Sequence, residues 1–376
     1  MYSAPFDVCL SITSRCNLSC KHCLNRNLGG SEDDLTTREL LEVIDQLGQA
    51  KVFNLSIFGG EPLTHPDFFL IIERLNKYPI RLSLNTNGTL IDQRRAKWLK
   101  DHKIKRSIVS FDGSRPEIMD ETRGSGTFRR NIKGIESLLK EGILVLLSVT
   151  LTKINYQDVR EMVLLGKKLK ANGIRFNHVF FAGNAACFIN EIYLSPKEER
   201  EAIEEVWQAN QEFPDFIESS STYLVQKQKL EEMKNYKPAT DKMVIPPCGA
   251  AGNKCAIRPD GWVTPCEMLW EVKCGNLKEE RLTDIWQNSS VMNQFRRPLE
   301  LDLTEMPECK DCQYQCLCFI GHRCYPYYYP KGVKDRSLYC WLNKRSKDEE
   351  VSKCQGFNSH KQVAKQRRTG YVHFVP

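Results

Sequence analysis

The placement of sixteen cysteines limits what this chain of 376 residues can become. Three of them, Cys16, Cys20 and Cys23, share one short stretch, and ten more lie between Cys248 and Cys340. No run of about 18 apolar residues is present to span a bilayer, and the start, MYSAPFDVCL, has neither the basic residues nor the apolar stretch of a signal peptide. The chain is therefore expected in the cytoplasm, with no membrane partner. Thiols stay reduced there, so the clustered cysteines point to metal, catalysis or both rather than to a disulfide framework. Cys9, Cys187 and Cys354 lack partners at ligand spacing and read as buried small hydrophobes.

From residue 6 to about residue 180, short β-rich runs alternate with helical stretches, which argues for β-α units around a parallel sheet. Six strands are expected, over residues 7–12, 54–58, 81–85, 107–111, 144–151 and 174–180. Helical periodicity is clearest after Thr36, where Thr36 and Glu39 have capping-box spacing ahead of Leu40, Leu41, Ile44 and Leu47. Six such units predict an α/β fold, a partial (β/α)6 TIM-type barrel, with its chemistry in the loops at the carboxyl ends of the strands. A single core stops growing near roughly 250 to 300 residues, so a second module is expected. The barrel is placed at residues 1–235, a Cys-rich module at 236–345, and a tail at 346–376. From Trp341 onward eight lysines or arginines face three acids, which reads as a solvated extension. The whole chain carries a net charge of +7 from 54 basic and 47 acidic residues, too balanced a field to suggest nucleic acid as a partner.

The first cysteine group has the spacing C-x3-C-x2-C in a loop directly after the first strand. Three thiolates can hold three irons of a four-iron four-sulfur cluster and leave the fourth open to an outside ligand, whereas a closed zinc or iron site needs a fourth protein donor. His22 stands between two of the cysteines and is read as supporting the loop. Such spacing arises by chance about 0.03 times in a chain of this cysteine content, so the neighbouring motifs decide. Gly59-Gly60-Glu61-Pro62 follows the second strand, with glycines for a close backbone approach and a carboxylate suited to an ammonium group. Asn85-Thr86-Asn87-Gly88 follows the third, and Ser110, Asp112 and Gly113 follow the fourth, with Arg123 beyond. Any one of these is an ordinary turn; one per strand end, in order, is not.

Through C-x3-C-x2-C, the Gly-Gly-Glu-Pro and Asn-Thr-Asn-Gly turns, and Ser110-Phe111-Asp112-Gly113 with Arg123-Gly124, the chain resembles the radical S-adenosylmethionine (radical SAM) superfamily over nearly its whole length. The resemblance implies that S-adenosylmethionine (AdoMet) chelates the open iron. Gly59, Gly60 and Glu61 would hold its amino group, Arg123 its carboxylate, Asn87 and Ser110 the path to its ribose, and Phe180 its adenine. It further implies cleavage to a 5'-deoxyadenosyl radical that takes hydrogen from a substrate, with electrons from a small reductant such as flavodoxin or ferredoxin. The protein's share is positioning and exclusion of water.

The C-terminal module is similar to the SPASM extension of that superfamily. Cys248 is followed by Gly261 and Cys266, and Cys309, Cys312 and Cys318 keep C-x2-C-x5-C spacing. The resemblance implies two auxiliary four-iron four-sulfur clusters, three clusters in all. Cys248, Cys255, Cys266 and Cys324 would hold the first, and Cys309, Cys312, Cys318 and Cys340 the second. His322 occupies the place of the family's next cysteine, two residues before Cys324, and Cys274 and Cys316 are extra thiols, so any of these three could replace an assigned ligand. C-x2-C is also a zinc spacing, which leaves structural zinc open. Closed clusters suit electron relay. Glu267 stands where sulfatase-maturating relatives carry an acidic base, against the plain reading of a solvated hairpin residue. Cys187 could donate hydrogen in the cavity, against that of a buried thiol.

SPASM relatives mostly oxidise or crosslink peptides or proteins, and a minority act on sugars or small alcohols. A peptide or protein is the first expected partner and a small molecule the second. The first strand begins near residue 6, so no leader-binding domain is expected ahead of the barrel. A non-enzymatic electron carrier would not explain an open three-cysteine site beside Gly-Gly-Glu-Pro.

Overall fold

The computed structural model describes residues 2–24, 32–180, 182–232, 242–245, 247–302 and 304. Cys309, Cys312, Cys316, Cys318, His322, Cys324, Cys340 and Cys354 lie outside the described residues.

All six expected strands are present: β1 Asp7–Ser11, β2 Asn54–Phe58, β3 Arg81–Thr86, β4 Arg106–Ser110, β5 Leu144–Thr150 and β6 Gly173–Asn177. They pair in that order and in parallel, so their carboxyl ends share one side of the sheet. Between them run α1 Thr37–Gln49, α2 Phe68–Leu75, α3 Gln93–Asp101, α4 Pro116–Arg123, α5 Thr127–Lys140 and α6 Val159–Lys168. After β6 come α7 Ile189–Ile192, α8 Pro196–Glu212 and α9 Thr222–Glu232. The start of α1 is set by the anticipated capping box, with the Glu39 amide donating to Thr36 Oγ1 (3.3 Å) and Glu39 Oε2 accepting from the Thr36 amide (2.8 Å). The chain is thus an α/β protein of six parallel β-α units, a partial barrel.

Alternation along the strands divides the sheet into two faces. Val8, Leu10, Leu55, Ile57, Leu82, Leu84, Val145 and Leu147 are buried with the apolar sides of α1, α2, α5 and α6 in one core. The opposite face is polar: Ser56 Oγ lies 2.9 Å from Ser83 Oγ, and Asn177 Nδ2 donates to Ser148 Oγ at 3.1 Å. Apolar burial against the helices drives the sheet together, which leaves the inner face free for chemistry.

The sheet does not end at β1. In the C-terminal region the strands are β7 Lys242–Ile245, β8 Lys254–Ile257, β9 Trp262–Thr264, β10 Gly275–Asn276 and β11 Leu299–Asp302, with helices α10 Leu282–Asn288 and α11 Ser290–Phe295. β8 pairs in parallel with β1 on the edge away from β2, and β9 and β10 extend the sheet in antiparallel fashion. One nine-stranded sheet results, in the order β10-β9-β8-β1-β2-β3-β4-β5-β6. The sequence analysis expects only the first six strands; that residues 254–257 form a strand and dock on residues 7–10 is seen in the structure alone. No helix among the described residues is long and apolar enough to cross a membrane.

Candidate functional site

The loop with Cys16, Cys20 and Cys23 leaves the carboxyl end of β1 and is held by the segments that follow β2, β3, β4 and β6. Asp34 fixes its start, accepting from the Ser14 amide (2.8 Å) and the Thr13 and Ser14 hydroxyls (3.1 Å each). After β2, the Gly60 and Glu61 amides donate to the Thr13 and Arg15 carbonyls, both at 2.8 Å. After β3, Asn87 Nδ2 donates to Asn17 Oδ1 (2.9 Å). On α4, the Thr122 carbonyl accepts from the Lys21 amide (2.9 Å). After β6, the Asn184 amide donates to the Cys23 carbonyl (2.9 Å) and its side chain to the Cys20 carbonyl (3.1 Å).

Gly59 and Gly60 are explained by this docking. A Cβ on Gly60 would stand 2.1 Å from the Arg15 carbonyl oxygen, and one on Gly59, whose φ is +140°, would stand 2.4 Å from that of Thr13. The close approach that the glycines permit here is to the backbone of the cysteine loop, where the sequence suggests an approach to a ligand.

Glu61 is fully buried and joins two motifs that are separate in sequence. Its Oε1 accepts from the Thr86 hydroxyl and its Oε2 from the Asn87 amide, both at 2.7 Å. Burial pushes its carboxyl up to about 7, against the pull of those donors and of Arg123. Asn131, on α5, ties this unit to the next strand by donating to the Asn87 carbonyl (2.8 Å) and the Ser110 carbonyl (2.9 Å).

A second polar unit, Asp112, Arg123 and His22, packs against Cys20. Asp112 Oδ2 accepts from Arg123 Nε at 2.6 Å and lies 3.2 Å from His22 Nε2, while Oδ1 accepts from the Thr150 amide (2.8 Å). Arg123 Nη1 points to Cys20 Sγ (3.7 Å) and Nη2 lies 3.3 Å from His22 Nε2. Burial works against the Arg123 charge, but Asp112 and Cys20 outweigh it and hold the guanidinium above its ordinary range. Burial lowers His22 to about 4, leaving a neutral imidazole at neutral pH. It also lifts the Cys20 thiol to about 11, with Arg123 opposing. Arg123, read from sequence as a carboxylate clamp, thus also braces the cysteine loop, and Asp112 and His22 are its partners. Phe180, just past β6, is partly buried against the core.

The surroundings of the Cys16 and Cys20 sulfurs fit a thiolate-held iron-sulfur cluster. The Leu18 amide donates to Cys16 Sγ (3.4 Å), and the fixed cation of Arg123 adjoins Cys20; both stabilise thiolate sulfur. Among the described residues no three His, Cys, Asp or Glu side chains converge as on one bare ion. A cluster takes its thiols at separate corners, so its ligands need not meet at a point. Ser11 Oγ and His22 Nδ1 are buried beside the loop with no partner among the described residues, and a bound group can complete them.

Around the β8–β9 hairpin lie Cys248, Cys255 and Cys266. Cys255 is fully buried, and burial pushes its thiol up, with Cys274 and Glu267 adding to the rise. Glu267 accepts from Lys254 Nζ at 3.1 and 3.3 Å and from Cys266 Sγ at 3.0 Å. Burial would raise the Glu267 carboxyl, but the Lys254 charge and the Cys266 bond outweigh it and hold it ionised. Cys9 is half-buried on the side of the β1–β8 pair that carries Lys254, and Lys254 and Glu267 act on it electrostatically, so it has polar neighbours where the sequence suggests a plain hydrophobe; they come from the far end of the chain, and spacing carries no such signal. Cys187, read as a buried thiol, is exposed, because it follows a single helical turn, Gly183–Ala186, at the rim.

Comparison with known proteins agrees with this geometry. Residues 10–166 match the Radical SAM superfamily, and residues 248–313 match the SPASM iron-sulfur cluster-binding domain. The chain is similar to an AdoMet-dependent heme synthase of Methanosarcina barkeri (strain Fusaro / DSM 804), 28% identical over 348 residues that cover 90% of this chain and 97% of that protein. It is also similar to the mycofactocin maturase MftC of Mycolicibacterium smegmatis, 24% identical over 299 residues covering 78% and 73% of the two. The structure of Streptococcus suis SuiB bound to precursor peptide SuiA shares the fold, with a TM-score of 0.68 at 19% identity over 90% of this chain and 76% of that one.

Proposed function

This chain is a member of the radical SAM superfamily with a SPASM module, and on that premise we propose that it abstracts hydrogen from a peptide or protein substrate. In this reading Cys16, Cys20 and Cys23 hold the AdoMet-binding cluster. That cluster, when bound, supplies the electron that cleaves AdoMet to the 5'-deoxyadenosyl radical. Glu61 receives the methionyl ammonium, since a buried carboxylate with a cation beside it recovers the stability that burial removes. Arg123, already fixed by Asp112, receives the carboxylate. Asn87 and Ser110 face the ribose, and Phe180 the adenine. The single observation that carries the reading is the convergence of loops from β2, β3, β4 and β6 on the one cysteine loop after β1.

The maturases MftC and SuiB support the peptide class, and the polar inner face of the sheet suits a hydrogen-bonding substrate. One observation favours a second reading, a small molecule such as a haem precursor: the heme synthase matches 97% of its own length to this chain. In either case the SPASM module is read as holding two further clusters that relay electrons, with a small reductant such as flavodoxin or ferredoxin as the electron source. In this reading Glu267, held ionised by Lys254, accepts a proton from the substrate radical.

Under reducing anaerobic conditions the protein releases 5'-deoxyadenosine, and the Cys16→Ala/Cys20→Ala/Cys23→Ala variant releases none while keeping its remaining iron. Activity retained in that variant would remove the proposal. Adding candidate precursor peptides and, separately, haem precursors decides the substrate class by which of them is consumed.

A further inference from the structure

We propose that Cys9, on β1 of the barrel, is a thiol ligand of the auxiliary cluster at the β8–β9 hairpin, in place of Cys255. The inference rests on the reading that the SPASM module holds such a cluster.

Neighbouring residues of a strand face opposite sides of the sheet. β1 and β8 run side by side with Asp7 beside Lys254, Val8 beside Cys255, Cys9 beside Ala256 and Leu10 beside Ile257. Val8, Leu10, Cys255 and Ile257 therefore share the helix-facing side, where each is 2% exposed or less and belongs to the apolar core. Cys9 and Lys254 share the other side. β9 returns beside β8 with Thr264 next to Ala256, on the Cys9 side, and Cys266 follows two residues later.

Glu267 links Cys266 to the Cys9 side of the sheet through Lys254. Its carboxylate accepts from Cys266 Sγ at 3.0 Å and is gripped at 3.1 and 3.3 Å by Nζ of Lys254, the residue that shares the Cys9 side of the strand pair. The strand register thus puts a barrel thiol, Cys9, on the side where Lys254 holds the carboxylate next to Cys266. Ala256, paired with Cys9 on β8, carries only a methyl group. The Ala251 amide donates to the Pro265 carbonyl (3.1 Å), which ties the turn after Cys248 to the residue before Cys266. On cluster uptake each thiol releases its proton to solvent and its sulfur bonds iron, with no change in sulfur oxidation state. Lys254 stays to offset the negative charge of a thiolate-bound cluster. β1 would then carry a ligand of the auxiliary cluster on its inner face and lead directly into the loop of the AdoMet-binding one.

The test uses the full chain, anaerobically reconstituted, as wild type, Cys9→Ala, Cys9→Ser and Cys255→Ala. Iron and sulfide are counted, and the reduced clusters are followed by electron paramagnetic resonance with and without AdoMet. Wild type should hold roughly twelve iron, and Cys9→Ala should lose about a third of it. The AdoMet-induced change in the first cluster's signal should persist, which shows that the barrel is folded. Cys9→Ser, nearly isosteric, should shift the auxiliary signal, and Cys255→Ala should leave iron and spectrum unchanged. An unaltered auxiliary spectrum in both Cys9 variants, or its loss in Cys255→Ala, overturns the assignment. Wild-type protein with only about four iron would instead overturn the underlying reading of the module.

Discussion

Glu61 makes a prediction whose size follows from the structure. Its carboxyl is fully buried and sits at about 7 in the folded protein, against a reference of 4.5 for an exposed glutamate. A folded-state value raised above the unfolded one means that the folded protein binds the proton more tightly. The associated stability is complete below about pH 4.5, declines as pH rises, and is gone once pH passes about 7. At about 1.4 kcal/mol per unit, the loss between pH 5 and pH 8 is about 2 to 3 kcal/mol. Glu61→Gln carries no titrating group, so the pH dependence of its stability should be shallower than that of wild type by this amount. Anaerobic urea unfolding at unit pH intervals from 5 to 8 reads the difference directly, as a midpoint change of roughly half a molar to one molar. Cluster ligation has its own pH dependence, which is common to both proteins and cancels. Identical pH slopes would refute the reasoning, since Glu61 would then carry no burial cost. A ligand ammonium at the same carboxylate favours its ionised form, so wild-type AdoMet affinity should rise with pH up to about 7 and that of Glu61→Gln should not.

Two further substitutions probe the same loops. Gly60→Ala drives a methyl group to 2.1 Å from the Arg15 carbonyl oxygen, so the cysteine loop must shift. A cost of about 1 to 3 kcal/mol and a fall in first-cluster iron are expected, read by thermal unfolding and iron analysis. Asp112→Asn leaves the Arg123 guanidinium buried without its counter-charge, for a loss of about 3 to 5 kcal/mol and weaker AdoMet binding. The double variant Asp112→Asn/Arg123→Met should regain part of that stability but none of the binding, measured by calorimetry.

Much of this architecture is legible in the sequence because its signals are local. Alternation and helix periodicity place β1 to β6 to within a few residues, since a strand that buries one face repeats every second position. Thr36 and Glu39 mark the start of α1 because a capping box closes within one turn. The motifs after β1 to β4 stand out because parallel β-α units bring all carboxyl strand ends to one rim. The pairing of Glu61 with Thr86 and Asn87, and of Arg123 with Asp112 and His22, is not legible in this way, because each bond crosses between units. The glycines of Gly-Gly-Glu-Pro are visible as backbone permission, but what approaches them is not.

By itself, then, the sequence determined which residue types stand at each strand end and how the cysteines are grouped, because propensity, pattern and spacing act over a few residues. Only the tertiary structure decided that β8 docks on β1, turning Cys9 from an isolated thiol into a neighbour of Lys254 and Glu267. Backbone hydrogen bonds between strands carry no side-chain code for their partner. The choice is made by what burial on the helix-facing side allows, and the inner-face neighbours follow from the register.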